Sequence, residues 1–515
     1  MVIDFMSGRA THSGRYVVFG VFVCLYFFVA LMMSDGRQGW GDDFAFYIAQ
    51  ARAIVESGLL TDPDYVFNPD ALGYSPLAYP PGLPVMLAAG YVMFGLDIQS
   101  LKVLVILSAC LGFIAVYLLF NRMHSPGMAF AVVLIFALNP YVWSYQQYIL
   151  SEFPYIMGSF CALYFVHLVY EKEARARLLC CLIAGALIFA AVMTRTVGLT
   201  LLLACITYGI LNFSSRPKRN ASLLIVATFC LLYLLFDIST EYATHDEDVV
   251  WLCASCLPMN LYFYYQGLID FLSAGGALPG VGMYRDVICI SGILLTLSGL
   301  GLVVRRAYQK RLHTEPVWQR FLASFSPVDI YFCGTILLIF LLPVHSAPRF
   351  LLPLLPIALF YILVSLLKVA SGTRGREWAL SGAAMGFLCL YAAVYATYLV
   401  SPDRQQSEAS VTSPDAQALF EFITNNIEDT DLIIAPKPRA LVLFTRRRAT
   451  VFDGNVGPEN LMADIEERGV THLVFGKTKR GGMYASDWIL THPVIATNFV
   501  TVFENAQFRV LETAR

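Results

Sequence analysis

The chain has 515 residues, 57% of them hydrophobic and only 14% charged, with a mean hydropathy of +0.63. A water-soluble domain of this length could not cover so much apolar surface, so the composition excludes the soluble classes and leaves a polytopic membrane protein. The 35 Lys and Arg nearly balance the 37 Asp and Glu, and no basic excess argues for a nucleic-acid partner.

The first apolar run, Tyr16–Met33, follows Arg9 and Arg15 and precedes no small-residue cleavage signature, so it reads as an uncleaved anchor. Next comes an acidic loop, Ser34–Ser100, opening on Gly41-Asp42-Asp43-Phe44-Ala45-Phe46-Tyr47. Phe46, Tyr47, Gln50, Ala51 and Ile54 recur at helical spacing and stop at Gly58, which predicts a helix capped at its start by Asp42 or Asp43 and at its end by Gly58. Tyr79-Pro80-Pro81-Gly82 predicts a turn that shapes backbone and carries no catalysis. The apolar segment behind it, Leu83–Gly95, is short for a span.

Further apolar runs are Leu101–Phe120, Met128–Tyr145, Phe153–Tyr170, Leu178–Met193, Val197–Phe213 and Ala221–Phe236. A second polar stretch, Ser239–Asp286, then contains a C-x-x-C at Cys253 and Cys256, open to a disulfide or a metal half-site and expected to have no special role. It also holds the aromatic run Met259-Asn-Leu-Tyr-Phe-Tyr-Tyr, which reads as an interfacial belt or a cavity wall. Val287–Val304, Ile330–Val344, Phe350–Leu367 and Ala379–Val400 bring the total to about eleven spans.

Positive charge orients them. If Leu83–Gly95 does not cross, Arg122, the 172–177 cluster, the 216–219 cluster, the 305–320 cluster and the 368–376 cluster all fall on one side with Arg9 and Arg15. If it crosses, every later basic cluster inverts. The segment is therefore expected to be re-entrant or surface-lying, with the N-terminus cytoplasmic. The Ser34–Ser100 loop, the Ser239–Asp286 loop and the tail beyond Ser401 are expected on the periplasmic or extracellular side.

In the tail, Asp415–Ile427 and Glu459–Arg468 read as helices, and Asp431–Ala435 and His472–Phe475 as buried strands. Val494–Phe503 and Gln507–Leu511 read as closing strands. The expected organisation is a membrane domain over 1–400 (with outer loops 34–100 and 239–286), a linker over 401–414 rich in Ser, Asp, Glu and Pro, and a small α/β domain over 415–515.

On the outer side the candidates for chemistry are few. Asp42, Asp43 and Glu152, the last in Leu150-Ser-Glu-Phe-Pro, are carboxylates suited to proton abstraction from a hydroxyl. Arg195 and Arg349 break the positive-inside pattern and, with His345, could form an anion site, because a guanidinium fork suits phosphate oxygens. Lys437, Arg439 and Arg446–Arg448 read as a solvated face. A transporter or flippase would place ionisable groups at mid-membrane in repeated halves, whereas here Asp237, Asp286 and Asp329 lie at span ends. A receptor or scaffold is the other rival.

The stretch from Gly41 to Gly58 is similar to the first outer loop of the lipid A aminoarabinose transferases, the protein O-mannosyltransferases and the lipopolysaccharide-core galacturonosyltransferases, membrane glycosyltransferases of the GT-C fold. Tyr79-Pro-Pro-Gly resembles their Tyr-Pro-Pro turn, Leu150-Ser-Glu-Phe-Pro their second acidic motif, Thr194-Arg-Thr-Val-Gly their Thr-Arg/Lys-x-x-Gly, and Arg349-Phe-Leu-Leu-Pro their Arg-Tyr-Leu-Leu-Pro. Where the family often has Glu after its aspartate, this chain has Phe44, with its extra acid at Asp42.

The resemblance implies an all-α GT-C membrane domain with juxtamembrane helices and a small C-terminal α/β domain, in the inner (plasma) membrane. It implies inverting transfer of a sugar from a polyprenyl-phosphate donor to a hydroxyl of a glycolipid, glycan or protein. Asp43 would be the base, Asp42 or Glu152 would position the acceptor, and Arg349 and Arg195, with His345, would hold the donor phosphate. It implies no required metal, although Asp42, Asp43 and Glu152 could offer oxygen ligands to a divalent ion.

Overall fold

The computed structural model describes residues 12–62, 64–69, 78–170, 174–239, 254–272, 282–309, 317–342, 348–370, 372–400, 410–451, 458–477, 483 and 492–514. In chain order the first helices are α1 (His12–Met33), α2 (Asp42–Ser57), α3 (Gly82–Phe94), α4 (Ile98–Met123), α5 (Pro126–Ala137), α6 (Pro140–Gln146) and α7 (Glu152–Val169). Then come α8 (Ala174–Thr194), α9 (Leu199–Leu211), α10 (Arg216–Ser239), α11 (Leu257–Leu272), α12 (Gly282–Gln309), α13 (Val317–Leu322), α14 (Pro327–Leu341), α15 (Leu355–Val369) and α16 (Gly372–Val400). The tail holds α17 (Pro414–Asn426), β1 (Ile433–Ile434), α18 (Pro438–Thr445), β2 (Ala449–Thr450), α19 (Pro458–Arg468), β3 (His472–Gly476), α20 (Pro493–Asn498), β4 (Phe499–Glu504) and β5 (Phe508–Thr513). The chain divides into two compact units.

The helical unit contains described residues 12–33, 105–239 and 254–400. Among the described residues, eight helices are long and apolar enough to cross a bilayer, and α5 with α6 makes a broken ninth. The apolar helices Thr196–Leu211 and Pro327–Leu341 are shorter. Each predicted run thus coincides with helix, as lipid demands, since only internal hydrogen bonding satisfies a backbone there. This is a multi-pass membrane protein.

The run predicted as one span over Met128–Tyr145 is broken, α5 and α6 meeting at 66°. Pro140 cannot donate to the preceding turn, and Asn139 restarts the helix by accepting from the Tyr141 and Val142 amides at 2.9 and 3.3 Å. Its own amide donates to Phe271 O at 2.8 Å and Tyr391 Oη at 2.9 Å, so this fully buried polar group is spent. Nearby, Asn260 of α11 donates to Phe340 O and Leu342 O at 2.9 and 2.7 Å, satisfying carbonyls that α14 leaves open. Tyr264 of the aromatic run is buried while Tyr262 is exposed, so the run is wall on one side and belt on the other. Cys256 is disulfide-bonded, one of the two readings its C-x-x-C left open and a correction to the expectation of no special role, while Cys253 lies outside the described residues. α12 meets α15 closely, because a Cβ on Gly299 would stand 2.0 Å from Tyr361 O.

The second unit contains described residues 34–62, 64–69, 78–104 and 410–514. Its sheet runs β2-β1-β3-β5-β4, with β1 parallel to β2 and β3, and β5 antiparallel to β3 and β4. Leu432, Ile434, Leu461, Ile465, Leu473, Phe475, Phe499 and Leu511 form its core, with Val66 of the first loop packed against them. Tyr65 bridges Ala449 in parallel, Val66 N donates to Ala449 O at 3.0 Å, and Asn68 Nδ2 donates to Val451 O at 2.9 Å. The first loop therefore continues the sheet beyond β2.

That division differs from the expected one. The tail folds with the loop of 34–104 as one body, and the described end of the predicted linker is docked: Gly39 bridges Ser410, and Val411 N donates to Gln38 O at 2.9 Å. Residues 401–409 lie outside the described residues. Val494–Phe503, predicted as strand, begins as α20, for which Pro493 supplies a preset first turn, and becomes β4 at Phe499. α18 and β2 were not predicted. α3 is 13 residues long and lies wholly in this second unit. Its length of about 20 Å is short of the ~30 Å hydrocarbon core.

Candidate active site

The first charged cluster lies in the second unit and starts at α2. Gly41 is the N-cap and makes no side-chain cap bond, so Asp42 and Asp43 occupy the first helical positions. The expected capping role falls to neither, and both carboxylates are released for other contacts. Gly58 ends the helix at φ 72°, as its sequence position predicts.

Tyr79 is fixed first by its backbone. Gln50 of α2 donates to Tyr79 O at 3.1 Å and accepts from Tyr79 N at 3.3 Å. The phenol donates to Asp43 Oδ1 at 2.7 Å. It accepts in turn from Arg439 Nη1 at 3.1 Å. Burial, opposed by Arg439 and assisted by Asp43, raises the Tyr79 pKa, so the phenol stays a donor.

Arg439 is the correction here. Expected on a solvated face, its side chain is only 1% exposed. Its guanidinium carbon lies 4.0 Å from the Phe46 ring centroid, 5.0 Å from Tyr79 and 5.3 Å from Tyr65. Its Nε stands 3.6 Å from Asp42 Oδ2. Burial raises the Asp42 carboxyl above the ordinary range, Arg439 and Lys437 pull it back, and Asp43 pushes it up again. Asp42 Oδ1 is buried with no hydrogen-bond partner. Arg446 and Arg448 are exposed and Arg447 is half-buried, with Arg446 on Glu56 at 2.7 Å and Arg447 on Asp429.

The second cluster lies in the helical unit. Glu152 is the first residue of α7, its side chain 1% exposed. Arg195 Nη1 donates to Glu152 Oε1 at 2.5 Å and to Ser151 Oγ at 3.1 Å. Arg349 Nε is 3.4 Å from the same carboxylate oxygen. The Phe350 ring lies under Arg195 at 4.4 Å and near Arg349 at 5.9 Å. Glu152 Oε2 is buried without a hydrogen-bond partner.

Local sequence sets this geometry. α8 stops at Thr194, Arg195 is extended at φ −152°, and a 3-10 turn, Thr196–Gly198, folds back. A Cβ on Gly198 would sit 2.9 Å from Val192 N and 3.0 Å from the Ala191 carbonyl carbon, so only glycine permits the turn.

The structure thus joins Glu152, Arg195 and Arg349, and separately joins Asp42 and Asp43 with two residues that sequence reasoning left out of the site, Tyr79 and Arg439. His345 lies outside the described residues. Among the described residues no group of three or more His, Cys, Asp or Glu could hold a metal.

Comparison with known proteins places this architecture. Residues 78–284 match the family model for dolichyl-phosphate-mannose-protein mannosyltransferase. No curated protein matches the chain. ArnT from Cupriavidus metallidurans, solved bound to undecaprenyl phosphate, is similar with a TM-score of 0.53 at 15% identity, over 97% of this chain and 98% of that one. The Archaeoglobus fulgidus oligosaccharyltransferase, solved with Zn and sulfate, gives 0.55 at 14% identity over 88% and 67%. Mycobacterial arabinofuranosyltransferase AftD gives 0.54 at 13% identity over 96% and 41%. The chain has the GT-C glycosyltransferase fold, as its motifs led one to expect.

Proposed function

We propose that this GT-C membrane protein transfers a sugar from a polyprenyl-phosphate donor to an acceptor hydroxyl on the outer face of the membrane, with Asp43 as general base. The observation that carries the reading is the division of labour between the two aspartates. Asp42 Oδ2 lies 3.6 Å from the buried Arg439, whereas Asp43 accepts from the Tyr79 phenol at 2.7 Å. Oriented by that phenol, Asp43 is assigned the substrate proton.

The acceptor oxygen attacks the anomeric carbon as its proton passes to Asp43. The bond from that carbon to the phosphate oxygen breaks with inversion, and polyprenyl phosphate leaves. Arg195 and Arg349 stabilise the charge that develops on the departing phosphate. Two guanidinium forks brought to one place by Glu152 suit the oxygens of a phosphate monoester. Glu152, enclosed between them, orients these arginines. Tyr79 and Arg439 are positioning residues for the aspartates. Support for the donor class comes from the relatives: ArnT was solved with undecaprenyl phosphate, and an archaeal oligosaccharyltransferase with a dolichol-phosphate.

The test is turnover of a panel of polyprenyl-phosphate sugars by purified protein, wild type beside Asp43→Asn. Transfer lost in the variant while donor binding persists supports the reading. Donor translocation across vesicles without transfer would replace it with the flippase alternative.

A further inference from the structure

A cavity of about 630 Å³ lies in the helical unit, lined by Arg15, Tyr16, Leu118, Asn121, Arg122, Pro126 and Tyr164. Both arginines sit at helix ends: Arg15 near the start of α1, Arg122 in the last turn of α4. Among the described residues that line it, none is a carboxylate. The third edge is the first turn of α5, where Pro126 has no amide hydrogen to offer and Ser125 caps Met128 N at 3.3 Å. The positive end of that 12-residue helix adds to the two guanidinium charges. None of these residues belongs to either cluster described above.

The wall beside the cavity is aromatic. Tyr16 meets Tyr117 edge-on at 6.3 Å, and Tyr117 stacks on Phe19 at 4.0 Å. Tyrosines with one wet and one apolar end belong at a membrane interface. From Tyr16 onward, Val17, Val21 and Leu25 are exposed at four-residue intervals, an uninterrupted apolar ridge along α1. A basic chamber thus opens at the head of an apolar track.

We propose that this cavity binds the headgroup of an anionic phospholipid, its phosphate between Arg15 and Arg122 and its chains along the Val17–Val21–Leu25 ridge. The volume is in the range of small-molecule sites, about 300–1,000 Å³, and holds a phosphoglycerol headgroup. A soluble phosphate shares the head chemistry but would leave the ridge unused.

The experiment reconstitutes the full chain into nanodiscs of phosphatidylcholine with phosphatidylglycerol and measures which lipid is retained after extraction, by native mass spectrometry. Wild type retains phosphatidylglycerol in preference, and Arg15→Gln with Arg122→Gln lowers that preference by about fivefold per arginine, the scale of one basic side chain at an anionic lipid surface. Arg15→Lys with Arg122→Lys restores most of it. Arg305→Gln with Arg306→Gln, an exposed basic pair away from the cavity, leaves it intact. The proposal is overturned if the cavity double variant keeps wild-type preference, or if the Arg305 and Arg306 pair loses it equally. It is also overturned if glycerol phosphate in solution competes as well as the lipid. Identical size-exclusion profiles establish that the variants are folded.

Discussion

In the unit built from the first loop and the tail, one buried arginine meets Asp42 directly and Asp43 through the Tyr79 hydroxyl; in the helical unit, two arginines share one buried carboxylate. The two arrangements use the same residue types in inverted proportion. The residue type in the majority is a carboxylate in the first and a guanidinium in the second. A surplus carboxylate is equipped to accept a proton, and a surplus guanidinium to hold an oxyanion. The single residue of opposite sign is the more buried partner in each, and it serves as the fixed centre around which the reactive pair is arranged.

The sharpest way to break this comparison is at Asp43. Asp43→Asn keeps the shape and the bond to Tyr79 but removes the base; turnover is expected to fall about 10²–10⁴-fold with donor affinity unchanged, measured by transfer rate and donor titration. Unchanged turnover would end the assignment.

Arg195→Gln probes the opposite surplus. Loss of one preorganised donor at a developing oxyanion costs about 10²–10³ in turnover, and Arg195 contacts Glu152 more closely than Arg349 does. Breaking a buried pair also costs about 3–5 kcal/mol of stability. Arg349→Gln, whose contact is looser, is expected to act less on stability and to raise the donor KM.

Tyr79→Phe removes the hydroxyl between Arg439 and Asp43 while leaving the ring against Phe46 and Tyr47. Turnover should drop about tenfold, consistent with one charge-assisted hydrogen bond of about 1.5–3 kcal/mol partly recovered from water. Retained KM with reduced kcat marks positioning; an equal fall in protein yield would mark a merely structural role.

The smallest effect is in pH dependence. Burial lowers the His472 pKa below its ordinary value, with Asp431 and Glu512 opposing. The folded state then binds fewer protons than the unfolded one between the lowered value and about 6.5. Stability of the second unit is therefore present above that window and lost as pH falls through it. Hydrogen exchange of β3 read across this window checks the sign, and His472→Gln should flatten it.

The helices were legible because a bilayer permits little else, and Gly58 was legible because a left-handed cap needs it. The break at Asn139 was hidden because apolar residues continue on both sides of Pro140, so hydropathy alone reads one run. Aspartate and arginine candidates stood out by side and scarcity of charge. Arg439 did not, because Ala-Pro-Lys-Pro-Arg is locally polar and its burial depends on Tyr79, 360 residues earlier. The same distance hid the union of loop and tail. A turn motif such as Tyr79-Pro-Pro-Gly announces backbone shape and gives no sign that its first side chain bonds an aspartate.

The strand-like pairing of Tyr65 and Val66 with Ala449 has a consequence for biosynthesis. Arg52 and Asn68 find their partners 391 and 383 residues later, so the early loop leaves the ribosome long before the segment that completes it. At about 5–20 residues per second the wait is on the order of 20–80 s. During that interval the loop presents unpaired backbone and the aromatic faces of Phe46 and Tyr65. A chain interrupted before residue 432 would carry every early membrane helix and still lack a folded carboxylate site, which makes the last stretch of synthesis the step that completes that site.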